Sequence, residues 1–159
     1  MLATPAERRA RRVLSLPIGH PPEAPQAHDF DGANVLVVDD DFRNIFAMTA
    51  LLERGNAIVT VAESGQDALD LLERLPSVDI VLMDIMMPVM DGYATIRAIR
   101  ADPRFETLPI VAVTGKVMPG ERQRCLDAGA DDFIPKPIDT AELLAVLRPW
   151  LHAAMGSPA

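Results

Sequence analysis

The sequence has a single cysteine, Cys125, among its 159 residues. That excludes an internal disulfide framework and any site built from several thiolates, and points to a reducing compartment. Lysine is nearly as scarce, for the 15 basic residues include only Lys116 and Lys136. The formal net charge of −8 argues against a nucleic-acid-binding surface over the whole molecule. No apolar stretch approaches the roughly 20 residues that span a bilayer. Arg8, Arg9, Arg11 and Arg12 look like the start of a signal peptide. The apolar run behind them, Val13-Leu14-Ser15-Leu16, stops at Pro17, short of the usual ~7–15 residues. No membrane association is expected, and the protein is read as cytoplasmic. Aromatic residues are few, at 4%, but 49% hydrophobic and 24% charged residues give a globular balance with room for one domain.

The first 30 residues differ from the rest. They hold five of the 14 prolines, and four arginines against Glu7, Glu23 and Asp29, whereas residues 31–159 carry 11 basic and 20 acidic side chains. Residues 1–30 are read as a Pro/Arg-rich arm or linker, solvated rather than docked, with a short helix allowed over Ala6–Leu14. Residues 31–152 are read as the domain, and 153–159 as a short tail.

Within the domain, hydrophobic period alternates. Val35–Val38, Ala57–Ala62, Ile80–Met83, Ile110–Val113 and Phe133-Ile134 read as strands. Between them, helical spacing predicts Phe42–Arg54, with Phe42, Ile45, Phe46, Thr49 and Leu52 on one face and Gly55 as its C′ residue. Further helices are expected over Ser64–Leu75, with Asp67 in a short-armed capping box, then Tyr93–Arg100, Gly120–Ala128 and Thr140–Leu151. Pro149 should kink or loosen the final turn. Five strands alternating with five helices imply one parallel sheet covered on both sides.

Ligands in such sheets bind beyond the carboxyl ends of the strands. Four of the five strands deliver a polar residue there: Asp39-Asp40-Asp41, Asp84, Thr114 and Lys136. Asp41 is read as the cap of the first helix. Clustered carboxylates raise one another's pKa, a cost relieved when a cation joins them, and hard oxygen donors without His or Cys suit Mg²⁺. His20, His28 and His152 form no cluster. Met83, Met86, Met87 and Met90 read as packing and adaptable surface. Glu121, Arg122 and Arg124 read as a solvated helix face, and Trp150 equally as a core lid or an interface anchor.

The motifs V-L-V-V-D-D-D, V-L-M-D-I-M-M-P-V-M-D-G, V-A-V-T-G-K and F-I-P-K-P, spread over about residues 33–151, resemble the receiver domain of two-component response regulators. The likeness is strongest to receivers fused to hybrid sensor kinases. It implies a flavodoxin-like, doubly wound, five-stranded parallel α/β sheet of order 2-1-3-4-5 with five helices. It makes Asp84 the phosphoacceptor, with Asp40 and Asp84 as direct ligands of Mg²⁺ (or Mn²⁺). Asp39 acts through a metal-bound water, and the backbone carbonyl of Met86 completes the protein ligands. Lys136 and Thr114 serve the phosphoryl group, and Thr114 with Phe133 forms the switch. A cis bond is expected before Pro137. Gly115 and Phe133 depart from the commoner Ala and Tyr. The implied partner is a histidine kinase or a histidine phosphotransfer protein, with output, or a homodimer, through the helix-4 to helix-5 face.

Eight residues after Leu151 are too few for a DNA-binding output module. Both a stand-alone receiver and a piece of a hybrid kinase fit. Two other readings are weighed. A haloacid-dehalogenase-like phosphatase also uses a D-x-D strand end, but Asp131-Asp132 precede Lys136, the reverse of that family's order, and Arg43 stands where a small residue belongs. A receiver fold that binds without being phosphorylated would not need the full set of polar residues.

Overall fold

Runs of Val, Ile and Leu with no polar alternation are stable only when both faces are covered, and all the central runs here are so placed. The computed structural model is described over residues 29–115 and 118–154. Strands β1 (Asn34–Val38), β2 (Ile58–Ala62), β3 (Ile80–Asp84), β4 (Ile110–Thr114) and β5 (Asp132–Pro135) pair in parallel, in the order β2-β1-β3-β4-β5. The helices are α1 (Phe42–Arg54), α2 (Gly65–Arg74), α3 (Gly92–Arg100), α4 (Glu121–Ala128) and α5 (Thr140–Ala154), with a 3₁₀ turn at Pro103–Phe105. This is the doubly wound sheet that the alternation of periods predicts.

Alternate strand residues face opposite ways and divide the core. Leu36, Val38, Val81, Met83, Ile110 and Ala112 pack against α2, α3 and α4. Val35, Val37, Ile80, Leu82, Val111 and Val113 pack against α1 and α5. Each such side chain contributes about 1.5–3 kcal/mol by leaving water, so the sheet's centre is the rigid part on which a site can be mounted.

Four local expectations change. The buried face of α1 is Ile45, Met48 and Leu52, while Phe42 and Phe46 are 73% and 70% exposed. Gly55 has φ −85° and is not left-handed; Asn56 next to it is, at φ 68°. Gly55 is needed for space, since a Cβ there would lie 2.4 Å from Cδ2 of Phe30. Phe30, read from sequence as the arm's last residue, is 1% exposed and part of the core, and Asp29 pairs with Arg148 at 3.1 Å. Helix α5 contains Pro149 as expected but ends at Ala154 rather than at Leu151. Trp150 packs on the core edge, its Nε1–H 3.4 Å from Asp132 Oδ2. The arm's proposed helix, its arginines, His20, His28, Lys116 and the tail from 155 lie outside the described residues.

Candidate functional site

Strand register builds the site. Val38 of β1 stands opposite Met83 of β3, so Asp39 and Asp84, one residue further on, end neighbouring strands side by side. Asp84 stands opposite Val113 of β4, which places Thr114 one step beyond it. Thr114 in turn faces Pro135 of β5, and Lys136 follows. Four separate stretches of sequence thus meet at one edge because the sheet is parallel and in register.

Each side chain is held from below. Asp39 is fully buried; its Oδ1 accepts the backbone N–H of Asp41 at 2.8 Å. Asp41 caps α1, accepting the N–H of Arg43 at 2.9 Å, as expected. Asp40 is exposed at the mouth. Beyond Asp84 the chain turns back at once, with the N–H of Gly92 donating to the carbonyl of Ile85 at 2.9 Å. A Cβ on Gly92 would sit 2.3 Å from the backbone oxygen of Asp84, so only glycine lets α3 start this close to the strand end. The side chain of Asp91 caps α3 through the N–H of Ala94. The Lys136–Pro137 bond is cis, as expected.

Oxygens of Asp39, Asp40 and Asp84 all lie within 4.8 Å of one another. Lys136 Nζ donates to Asp84 Oδ1 at 2.9 Å and stands 3.5 Å from Asp39 Oδ2, an ion-pair distance. That Asp39 oxygen is buried without a hydrogen-bond partner. Burial pushes the Asp84 carboxyl up to about 6; the Lys136 hydrogen bond opposes this, and the charge of Asp39 adds to it. For Lys136, burial works downward, but the hydrogen bond to Asp84 and the charges of Asp84 and Asp39 outweigh it, and its pKa lies above the usual lysine value. One ammonium thus answers three carboxylates. A buried carboxylate oxygen without a hydrogen-bond partner, in a cluster whose acceptors are all hard oxygens, fits a small divalent cation.

The other predicted residues fall around this cluster. Thr114 is fully buried at the end of β4, and Phe133 is half-buried against the core of the α2–α4 face. Met86 is 56% exposed just beyond Asp84, whereas Met83 and Met87 are buried. Glu121 corrects the sequence reading, because it is 4% exposed and accepts the hydroxyl of Tyr93. The signal was the spacing of Glu121, Cys125 and Ala128 at i, i+4 and i+7, an inward stripe whose first member happens to be acidic.

Among the described residues, no helix is long and apolar enough to cross a membrane. The chain is 40% identical over 121 residues to the uncharacterized 14.6 kDa protein of the sodA1 3′ region of Leptolyngbya boryana, covering 76% of this chain and 91% of that one. It is 36% identical over 157 residues to the sensor protein GacS of Pseudomonas syringae pv. syringae, covering 97% of this chain but only 16% of GacS. A solved structure of the receiver domain of sensor histidine kinase PA1611 from Pseudomonas aeruginosa PAO1, with magnesium coordinated in its active-site cleft, superposes with TM-score 0.69 at 37% identity, over 76% of this chain and 98% of that one. The response regulator receiver domain model matches residues 35–148, so the chain belongs to the receiver-domain family of two-component signalling.

Proposed function

We propose that Asp84 accepts a phosphoryl group from a phosphohistidine of a histidine kinase or histidine phosphotransfer protein. The observation that carries this reading is a carboxyl group at a strand end with an ammonium 2.9 Å away and two further carboxylates within 4.8 Å. A carboxylate oxygen of Asp84 attacks phosphorus; the P–N bond to the imidazole breaks, a P–O bond forms, and the imidazole leaves to take up a proton from solvent. The product is an acyl phosphate. Lys136 moves from pairing with the carboxylate to pairing with the phosphoryl oxygens, and Thr114 donates a hydrogen bond to them.

Asp40 and Asp84 would hold Mg²⁺ directly, with Asp39 through water and the carbonyl of Met86 as the remaining protein ligand. A divalent cation bound there supplies positive charge to the phosphoryl oxygens. The magnesium-bearing receiver neighbour and the buried Asp39 oxygen, which has the Lys136 ammonium at 3.5 Å but no hydrogen-bond partner, support this set.

The donor must reach Asp84 from the exposed side. Phe42 and Phe46 lie one helical turn apart on α1, directly after the acidic segment, and supply an apolar contact for it. On the output side, the α4–α5 face, switched through Thr114 and Phe133, is the surface read by a target or a second copy.

The test is incubation with labelled acetyl phosphate or a phosphorylated kinase, with and without MgCl₂. One base-labile phosphoryl group per chain is expected, dependent on the cation and absent in Asp84→Asn. Equal labelling of Asp84→Asn would remove the site assignment. Steady turnover of a generic phosphate ester would favour the phosphatase reading instead.

A further inference from the structure

Helix α4 is anchored differently from the other helices. It runs for eight residues, ERQRCLDA, and its buried members are Glu121, Cys125 and Ala128. Two of these are small, so hydrophobic burial fixes the helix only weakly. What grips its first turn is polar. The hydroxyl of Tyr93, at the start of α3, donates to Glu121 Oε1. The guanidinium of Arg124, three residues further along α4, lies 4.6 Å from the centroid of the same Tyr93 ring. Cys125 Sγ stands 3.9 Å from Glu121 Oε1. One ring, 5% exposed, is therefore held from two points on a single turn of α4. Burial, with the hydrogen bond and charge of Glu121, drives the Tyr93 pKa above its usual value, so the hydroxyl stays a donor.

The two ends of this contact lead to the two sides of the acidic site. Tyr93 follows Gly92, which is tied to Ile85 and pressed against the backbone of Asp84. Glu121 follows the connection from Thr114, whose last residue before the helix, Gly120, has φ 85° and open space where a Cβ would be. A shift of Thr114 toward a group on Asp84 moves the end of β4, the strand that precedes α4, while the Tyr93–Glu121 bond holds the start of α4 against α3. A carboxyl group that gives up its hydroxyl donor, and keeps only the weak thiol donor of Cys125 at 3.9 Å, gains by turning to water, because an under-paired buried acceptor costs more than a solvated one. The contact therefore has two settings, closed or released to water.

We propose that the Tyr93–Glu121 bond, clamped by Arg124, is a latch that holds the start of α4 in the unmodified protein and is released when Asp84 is phosphorylated. The release half rests on the reading of Asp84 as phosphoacceptor; the restraint half does not.

Amide hydrogen exchange on the full chain, read on peptides covering 118–128, tests both halves. In unmodified protein, at labelling times too short for global unfolding, Tyr93→Phe should raise exchange there about tenfold over wild type, while peptides from β3 and β4 stay protected. With acetyl phosphate and MgCl₂, wild type should rise to the Tyr93→Phe level and the variant should change little. Equal exchange in unmodified wild type and variant would overturn the latch. So would wild type that is phosphorylated, by mass, yet keeps full protection of 118–128. If no phosphoryl group is taken up, the functional reading fails and the release half falls with it, while the unmodified comparison still decides the restraint. Where Tyr93→Phe does not fold, Glu121→Gln keeps a neutral acceptor and carries the same comparison, with an expected rise of about threefold.

Discussion

Helices α1 and α4 both begin shortly after a segment of the acidic rim, and both break the usual inside–outside pattern in opposite senses. Helix α1 has a complete inner face in Ile45, Met48 and Leu52, and yet carries Phe42 and Phe46 outward. Helix α4 has almost no apolar inner face and draws a glutamate inward. Exposed aromatic surface on a helix that is already well packed adds nothing to folding, which is why the proposed function gives it to a partner. A buried carboxyl group with a specific partner fixes geometry more than it stabilises. On the proposed reading, the first helix faces other molecules and the fourth reports on the chain's own state. Asp84 lies between them and sets the scale of the effects.

That central group gives the largest expected effect. A carboxyl titrating at about 6 in the fold, against roughly 3.9 when unfolded, costs on the order of 3 kcal/mol once ionised. The sign follows from the raised value: folding favours the proton, so this stability is present below about pH 4, declines as pH rises toward 6, and stays lost above. In EDTA at pH 7.5, Asp84→Asn should therefore be more stable than wild type by roughly 2–3 kcal/mol in urea unfolding, the Lys136 pair being already included in that value. Near pH 4 the difference should vanish. Adding MgCl₂ at pH 7.5 should stabilise wild type and leave the variant nearly unmoved. A constant difference across the range would mean that Asp84 is not the strained group.

The comparison of helices is broken next by Phe42→Ser with Phe46→Ser. Transfer from a protein donor should fall about 30-fold, roughly 2 kcal/mol, as for truncated interface anchors. Labelling by acetyl phosphate should not change, and stability should move by less than about 0.5 kcal/mol, since neither ring is in the core. A parallel loss with both donors would place the rings in the chemistry rather than in docking. Tyr93→Phe should behave in the reverse way. Its cost is in stability, about 1–2 kcal/mol in urea unfolding, because the start of α4 loses the hydroxyl bond that holds Glu121 inside. If both variants lose stability alike, the contrast between an outward-facing and an inward-acting helix is gone.

The two helices also show what a sequence can and cannot display. Strand positions, the rim residues Asp39, Asp84, Thr114 and Lys136, and the cap at Asp41 follow from hydrophobic period, from turn chemistry and from the rule that parallel sheets bind ligands at their carboxyl ends, whereas the strand order is what the resemblance to receiver domains implies. Period alone could not sort α1. Phe42, Ile45, Phe46, Thr49 and Leu52 make as good a stripe as Ile45, Met48 and Leu52, and only the position of the sheet decides which is inside. Gly55 stands where a C′ glycine is expected, but the reason for it is the ring of Phe30, which comes from 25 residues upstream and leaves no room for a Cβ. Glu121 was invisible as a buried group, since its partner Tyr93 belongs to another helix and the pairing exists only once both are packed.

The smallest effect sharpens the comparison where the outward-facing helix meets the acidic site. Asp41 is the cap of α1, yet its own N–H is held by Asp39 Oδ1 at 2.8 Å, so the start of the helix and one rim carboxylate are a single piece of structure. Asp41→Ala removes the cap and should cost about 1 kcal/mol. It leaves the backbone N–H that Asp39 uses, so a divalent cation should still stabilise the variant as much as wild type. Asp41→Asn restores an acceptor of the same length and should regain most of the lost stability. If Asp41→Ala instead weakens the cation's stabilising effect tenfold and Asp41→Asn does not restore it, then the carboxylate at 41 acts on the ion directly. The third member of the acidic run would then be part of the site rather than the hinge between it and α1.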